Sequence, residues 1–113
     1  MLALLTVVEG PDQGKSFELP LHQTLQIGRN PEHGICLTDP RVSRVHCWVR
    51  HEGNRLVLGD NNSTLGTWVN EERITERALQ NGDVLRIGDT LFALRWTDSD
   101  LLSTAEWIPP EPL

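Results

Sequence analysis

The chain has 113 residues, 16 of them acidic and 10 of them Lys or Arg, and it carries a formal net charge of −6 at pH 7. A protein that displaces counterions from nucleic acid, or that binds an anionic membrane surface, needs a basic face, so this charge argues against both partners. Hydrophobic residues make up 38% and charged residues 23%, which excludes a disordered chain and favours one folded domain.

The start of the chain and its two cysteines indicate where the protein works. The apolar beginning is short and is interrupted by Glu9, Gly10 and Pro11, which is typical of a first strand rather than of a signal peptide. Without a secretory signal, Cys36 and Cys47 are expected to be free, buried thiols. We therefore expect a cytoplasmic protein.

Short hydrophobic runs follow one another along most of the chain, separated by turn signals. These signals lie at residues 10–14, 52–54, 81–83 and 88–89. The rhythm predicts strands at residues 3–8, 15–19, 24–28, 35–37, 46–51, 55–58, 67–69, 73–74, 83–87 and 90–96. Because no stretch keeps a helical period for more than one or two turns, the predicted fold is an all-β sandwich or barrel of antiparallel strands.

A first group of anion-binding residue types lies between the third and fifth predicted strands. Arg29 follows Gly28 at a strand end, where its guanidinium can reach a ligand bound by the loops. Ser43 and Arg44 lie on a loop that runs into the strand at His46. Taken alone, such an arginine is more often paired with a surface carboxylate, and such a serine as often caps a turn. Arg41 belongs to the same arginine-rich stretch, and such a cluster can hold an anion even in an acidic protein, because distant charges are screened.

The second group lies on the polar loop at residues 60–70. Ser63 and Thr64 supply hydroxyl groups, and Gly66 supplies permissive backbone geometry at a turn. Asn70 is predicted to tie this loop together through backbone hydrogen bonds. An arginine pair combined with neutral hydroxyl donors is the set of groups that binds a phosphate dianion.

Two catalytic or metal-binding interpretations can be set aside. Ser43 and His46 suggest a nucleophile and its base, but no third orienting group is evident in the sequence, and an enzyme of that type also needs an oxyanion donor and a pocket. The spacings of His33, Cys36, His46 and Cys47 fit no zinc pattern. We therefore expect no enzyme, no metal and no cofactor, and we interpret His46 as a scaffold residue that fixes its neighbouring loops.

The composition changes after Thr97, which predicts a domain at residues 1–97 and an acidic, Pro-rich tail at residues 98–113. Apolar tail residues are expected to lie on the edge of their own domain or to bind another chain: Leu101, Leu102, Trp107 and Ile108. A monomer is the expected state. Phosphorylation of Thr97 or Thr104 would give an alternative, self-association through the tail.

Taken together, these motifs resemble a forkhead-associated (FHA) domain. The resemblance covers the chain to about Trp96 and depends on four motifs in the family's order, at residues 28–29, 43–46, 63–70 and 79–88. It implies an eleven-stranded β-sandwich whose loops at one end bind phosphothreonine peptides. On this resemblance Arg29, Ser43 and Thr64 would bind the phosphate and Arg44 would add a contact, while the architectural residues would be Gly28, His46, Gly66 and Asn70.

Leu65 departs from the family pattern, because the family has an asparagine here that holds the bound peptide's backbone. Leucine has no donor or acceptor, and losing such contacts would cost about 1–3 kcal/mol. Asn61 or Asn62 of the same loop are possible substitutes at the rim. Two functions therefore stay open: a phosphothreonine-dependent interaction module, and a scaffold that binds proteins without phosphate. In either case the expected partner is a protein.

Overall fold

The computed structural model describes residues 2–30 and 34–97. The predicted tail at residues 98–113 and His33 of the rejected metal site lie outside the described residues. Within the described ranges the chain forms no helix, and accordingly none that is long and apolar enough to cross a membrane. The all-β prediction is confirmed.

Eleven strands form within this part of the chain. In chain order they are β1 (Leu2–Glu9), β2 (Ser16–Glu18), β3 (Gln23–Gly28), β4 (Gly34–Cys36), β5 (Cys47–Glu52), β6 (Arg55–Asp60), β7 (Thr67–Val69), β8 (Glu72–Ile74), β9 (Glu76–Ala78), β10 (Val84–Ile87) and β11 (Thr90–Thr97). Ten of them correspond to predicted strands. The sequence pattern did not predict β9, because its Glu-Arg-Ala sequence has no apolar alternation. This segment is a strand because it pairs with β6.

The strands form two sheets that enclose the core. One sheet has the order β2-β1-β11-β10-β7-β8, and the other has the order β4-β3-β5-β6-β9. The pairs are antiparallel except for β3 and β4, which run parallel, so the second sheet is mixed where only antiparallel pairing was expected. Alternate residues of the central strands fill the space between the sheets, as in Leu85 and Ile87 of β10, which are fully buried.

The two cysteines differ in their surroundings. Both are free thiols; Cys47 is fully buried, and burial raises the pKa of its thiol. Cys36 is exposed, so the expectation that both thiols are buried is wrong for this residue. Ile35 of the same short strand points into the core, and its neighbour in the strand must therefore point outward.

Connections between the strands meet at one end of the sandwich. β3 ends there and β5 begins there, since Ile27 pairs with Cys47. The pairing of Cys47 with Asp60 brings the end of β6 to the same place. The segments between β4 and β5 and between β6 and β7 therefore lie side by side at this end.

Candidate functional site

An open depression of about 310 Å³ lies among these connections. Its lining residues are Arg29, Pro40, Arg41, Val42, Ser43, Thr64 and Leu65. Three of the four predicted phosphate-binding residues, Arg29, Ser43 and Thr64, thus share one depression although they come from three separate segments. Arg44 is exposed but does not line it.

Arg29 is held at the end of β3 by backbone and side-chain contacts. Its N–H donates to the carbonyl oxygen of Ser43 at 3.1 Å, and its Nε donates to the carbonyl oxygen of Val42. A guanidinium has five N–H donors, so this side chain is anchored by one while others remain for a ligand. Cys36 Sγ also donates to the Arg29 carbonyl oxygen, at 3.3 Å.

The close approach of β3 to the next loop requires Gly28. A Cβ placed on Gly28 would lie 2.1 Å from the carbonyl oxygen of Arg44, far inside the contact distance. The glycine therefore allows Arg29 to lie beside Ser43, and any larger residue would force the two segments apart.

Ser43 and Thr64 face each other across the depression with a weak contact. The Thr64 N–H lies 3.5 Å from Ser43 Oγ, which is at the outer limit of a hydrogen bond. Thr64 is exposed and Ser43 is half-buried. Both hydroxyl groups can therefore turn toward a ligand without losing a strong internal bond.

His46 lies between the two loops that carry these hydroxyls. Its side chain is fully buried; Nδ1 accepts from the Ser43 N–H at 3.0 Å, and Nε2 lies 2.8 Å from the carbonyl oxygen of Gly66. Because Nδ1 is the acceptor, the neutral ring carries its proton on Nε2, which donates to Gly66. Gly66 has a φ of 86°, a left-handed conformation that favours glycine. One imidazole thus fixes the position of both loops.

Asp60 organises the loop between β6 and β7 from within. The Ser63 hydroxyl and the Thr67 hydroxyl both donate to Oδ1, the latter at 2.7 Å, and the Ser63 N–H donates to Oδ2 at 3.1 Å. Burial by itself disfavours the charged form, but these hydrogen bonds, with His46 nearby, hold the pKa of Asp60 below its ordinary value. Ser63, proposed from sequence as a second hydroxyl at the rim, is therefore buried and turned toward Asp60 instead.

The lowered pKa of Asp60 predicts a pH dependence of stability. A carboxyl group whose pKa falls on folding stabilises the protein above its unfolded pKa, and this contribution is lost as the pH falls through the folded pKa. We expect the free energy of unfolding to drop below about pH 4. The Asp60→Asn variant should be less stable near neutral pH and should lose less stability on acidification. Asp12, whose pKa is also lowered, is common to both proteins, so the difference between their urea-unfolding curves at several pH values isolates Asp60.

Asp39 was not identified from the sequence, yet it fixes the loop that bears Arg41 and Ser43. Its fully buried carboxylate accepts from the Arg41 N–H at 2.9 Å, the Asp89 N–H at 2.7 Å and the Thr90 hydroxyl at 2.8 Å. The loop is thereby tied to the turn between β10 and β11. An Asp-Pro pair at a loop start is a turn signal that could have identified this residue.

Arg41 lines the depression, whereas Arg44 does not. Its Nε lies 3.3 Å from Asp89 Oδ2 in an exposed ion pair, which holds the side chain at the rim. Such exposed pairs are weak, so an incoming anion can compete for the guanidinium. The sequence signal for Arg41 is its place in an arginine-rich stretch.

The other predicted residues lie outside the depression. Asn61 Nδ2 donates to Gln26 Oε1 at 3.2 Å, and neither Asn61 nor Asn62 lines the depression. Asn70 donates to Asp83 Oδ1 and accepts from the Val84 N–H, both at 2.9 Å. It therefore ties the turn after β7 to the start of β10, not the loop before β7 as expected. Among the described residues, no cluster of three or more His, Cys, Asp or Glu side chains is arranged to hold a metal ion.

Comparisons with known proteins agree with this geometry. Residues 6–98 match the family described as the inner membrane component of T3SS, cytoplasmic domain. The chain is 42% identical over 86 residues to the glycogen accumulation regulator GarA of Mycolicibacterium smegmatis, covering 76% of this chain and 54% of GarA. It is 41% identical over 86 residues to the oxoglutarate dehydrogenase inhibitor of Corynebacterium jeikeium, covering 76% of this chain and 59% of that protein. The chain thus spans little more than half the length of these relatives.

Among solved structures, an FHA domain studied for its phosphothreonine-dependent interactions superposes with a TM-score of 0.81 and 32% sequence identity. The match covers 88% of this chain and 100% of that domain. The match agrees with the resemblance seen in the sequence.

Proposed function

Since the chain belongs to the forkhead-associated (FHA) family, we propose that it is a phosphothreonine-dependent protein-interaction module without catalytic activity. Its partner would be a protein phosphorylated on threonine, which the module would link to another activity in kinase signalling. The names of the two relatives describe regulation and inhibition rather than catalysis, which supports a non-enzymatic role.

The convergence of Arg29, Ser43 and Thr64 on one depression carries this proposal. A phosphothreonine brings about 1.5 to 2 negative charges and three strong acceptor oxygens at neutral pH. Arg29 would form charge-assisted hydrogen bonds with two of these oxygens, and the two hydroxyls would donate to the remainder. Arg41 would add positive charge at the rim once it leaves Asp89.

The test is a calorimetric titration with a degenerate phosphothreonine peptide library and with its phosphoserine and unphosphorylated counterparts. We expect binding to the phosphothreonine library, weaker binding to phosphoserine, and no measurable binding without phosphate. The affinity should fall as salt rises, because the interaction is largely electrostatic. Equal affinity for the phosphorylated and unphosphorylated libraries would contradict the proposal.

A second candidate, a protein-binding scaffold that does not read phosphate, is favoured by one observation. Leu65 places an apolar side chain in the depression where the FHA pattern has an amide. This function predicts equal affinity for phosphorylated and unphosphorylated ligands and little effect of salt. Such a scaffold gives no role to the retained set of Arg29, Ser43 and Thr64. The phosphothreonine-dependent function is therefore favoured over the scaffold.

Ser43→Ala is expected to weaken phosphopeptide binding by roughly 10-fold, because one hydrogen bond from a neutral hydroxyl group to the charged phosphate is lost. The fold should be unaffected, since the Ser43 backbone contacts to Arg29 and His46 do not involve the hydroxyl. Isothermal titration of the wild type and the variant measures the effect. Ser16→Ala is the matched control, because the Ser16 hydroxyl bonds Thr6 outside the depression. Wild-type affinity in Ser43→Ala would remove this hydroxyl from the site.

We further propose that the module acts in the cytoplasm as a monomer, without nucleic-acid or membrane partners. Its net charge of −6 supports the absence of nucleic-acid and membrane partners. The description of the matched family as a cytoplasmic domain supports the cytoplasmic location. Self-association through phosphorylated tail residues remains the alternative to a monomer. Light scattering before and after kinase treatment separates the two states.

A further inference from the structure

We propose that Leu65 determines specificity, by selecting phosphothreonine ligands that place a large apolar side chain beside the phosphorylated residue. The inference deepens the proposed function and rests on it. Leu65 cannot bind the backbone of a peptide through its side chain, because leucine has neither donor nor acceptor. The residue instead offers an apolar surface in the same depression as Arg29 and Ser43.

The exposure of Leu65 is the first observation. Its side chain is 43% exposed although it lies in a depression, and Pro40 supplies a second exposed apolar group to the lining. Leu65 therefore has apolar surface left to bury against a ligand. Burial of such surface is favourable by about 25 cal/mol per Å².

The fixed backbone around Leu65 is the second observation. Two consecutive carbonyl groups are held by hydrogen bonds from different partners. Trp68 Nε1 donates to the Leu65 carbonyl oxygen at 3.1 Å, and His46 Nε2 donates to the Gly66 carbonyl oxygen at 2.8 Å. The leucine side chain is therefore presented from a braced turn. A preorganised group loses little entropy on binding, so its contact contributes fully to affinity.

The position of Leu65 relative to the residues proposed to bind the phosphate is the third observation. Thr64, the adjacent residue, would donate to the phosphate, so the leucine side chain lies within one residue of that contact. A ligand anchored at Arg29 and Thr64 would bring one of its neighbouring side chains over Leu65. An apolar neighbour gains from this contact, whereas a polar neighbour placed over Leu65 must lose water without a hydrogen-bond partner on the leucine side chain.

The experiment uses alanine-based phosphothreonine peptides that carry one leucine or one asparagine at a single position near the phosphothreonine, each with an unphosphorylated counterpart. Each peptide is titrated against the wild type, Leu65→Ala, Leu65→Asn and the control Leu21→Ala. Leu21 is a leucine with the same exposure of 43%, it lies in the connection between β2 and β3, and it does not line the depression. Thermal unfolding verifies that each variant is folded.

For the wild type we expect leucine at one position to bind about 5- to 10-fold more tightly than alanine, with no gain from asparagine at that position. Leu65→Ala should remove most of this preference, and Leu21→Ala should keep it. Leu65→Asn should bind the all-alanine peptide more tightly than the wild type does, because the amide restores backbone contacts, and it should lose the preference for leucine.

Two results would overturn the inference: no position that prefers leucine in the wild type, or an unchanged preference in Leu65→Ala. Failure of the proposed function gives a different pattern, since removal of the phosphate group would then leave the affinity of every peptide unchanged. A leucine preference that is lost in Leu65→Ala but does not depend on phosphate would support the apolar contact within the phosphate-independent scaffold.

Discussion

Arg29→Ala is expected to abolish phosphate-dependent binding, with a loss of affinity of about 30-fold at least. Arg29 is exposed in the free protein. Truncating one partner of a hydrogen-bonded charge pair that is desolvated on binding costs about 2–5 kcal/mol, because the phosphate loses its bidentate donor and keeps its desolvation penalty. The side chain is positioned for this role by its Nε contact with the Val42 carbonyl oxygen and by the glycine that precedes it. Titration with phosphothreonine peptides measures the loss.

Two further variants show whether the loss comes from geometry or from charge alone. Arg29→Lys keeps the charge but not the planar fork, and should recover only part of the affinity. Arg55→Ala makes the same change in net charge, but Arg55 begins β6 at the opposite end of the sandwich, so binding should be unchanged. Wild-type affinity in Arg29→Ala would contradict the proposed function. An equal loss of affinity in Arg55→Ala would show that the effect comes from the net charge of the protein and not from the position of Arg29.

The fold was predictable because the strands differ from the turns in local composition. Alternating apolar residues mark the central strands, and glycine or Asn-Gly pairs mark most of the hairpins. β9 carries no such mark. Its three residues form a strand because Ala78 pairs with Val57 and Glu76 pairs with Gly59 of β6. A local sequence pattern cannot show such a tertiary contact.

The site was predictable in its residue types but not in every position. Arg29, Ser43 and Thr64 meet as the resemblance implied. Arg41 lines the depression and Arg44 does not, although both flank Ser43 within one loop. The direction of a loop side chain depends on how that loop is anchored, and the anchor here is Asp39, whose partners Asp89 and Thr90 are distant in sequence. Neither of those contacts has a local signature.

His46→Ala should both destabilise the fold and weaken binding. The substitution leaves a cavity and removes the partners of the Ser43 N–H and the Gly66 carbonyl oxygen, both of which lie at the base of the site. Buried truncations with unpaired polar groups cost about 2–5 kcal/mol, which should lower the melting temperature by about 10 °C or more. The two loops would also lose their common anchor, and ordering them on binding should cost about 10-fold or more in affinity.

His51→Ala separates these two effects, because His51 is a second buried histidine on the strand that follows His46. It is 1% exposed, and its Nδ1 lies 3.0 Å from the carbonyl oxygen of Leu19, at the end of the sandwich away from the depression. Both variants should melt at lower temperature, yet at a temperature where both are folded only His46→Ala should bind phosphopeptide weakly. Equal affinities would mean that His46 supports only the core. Weak binding confined to His46→Ala would mean that the loops must be braced before the phosphate arrives.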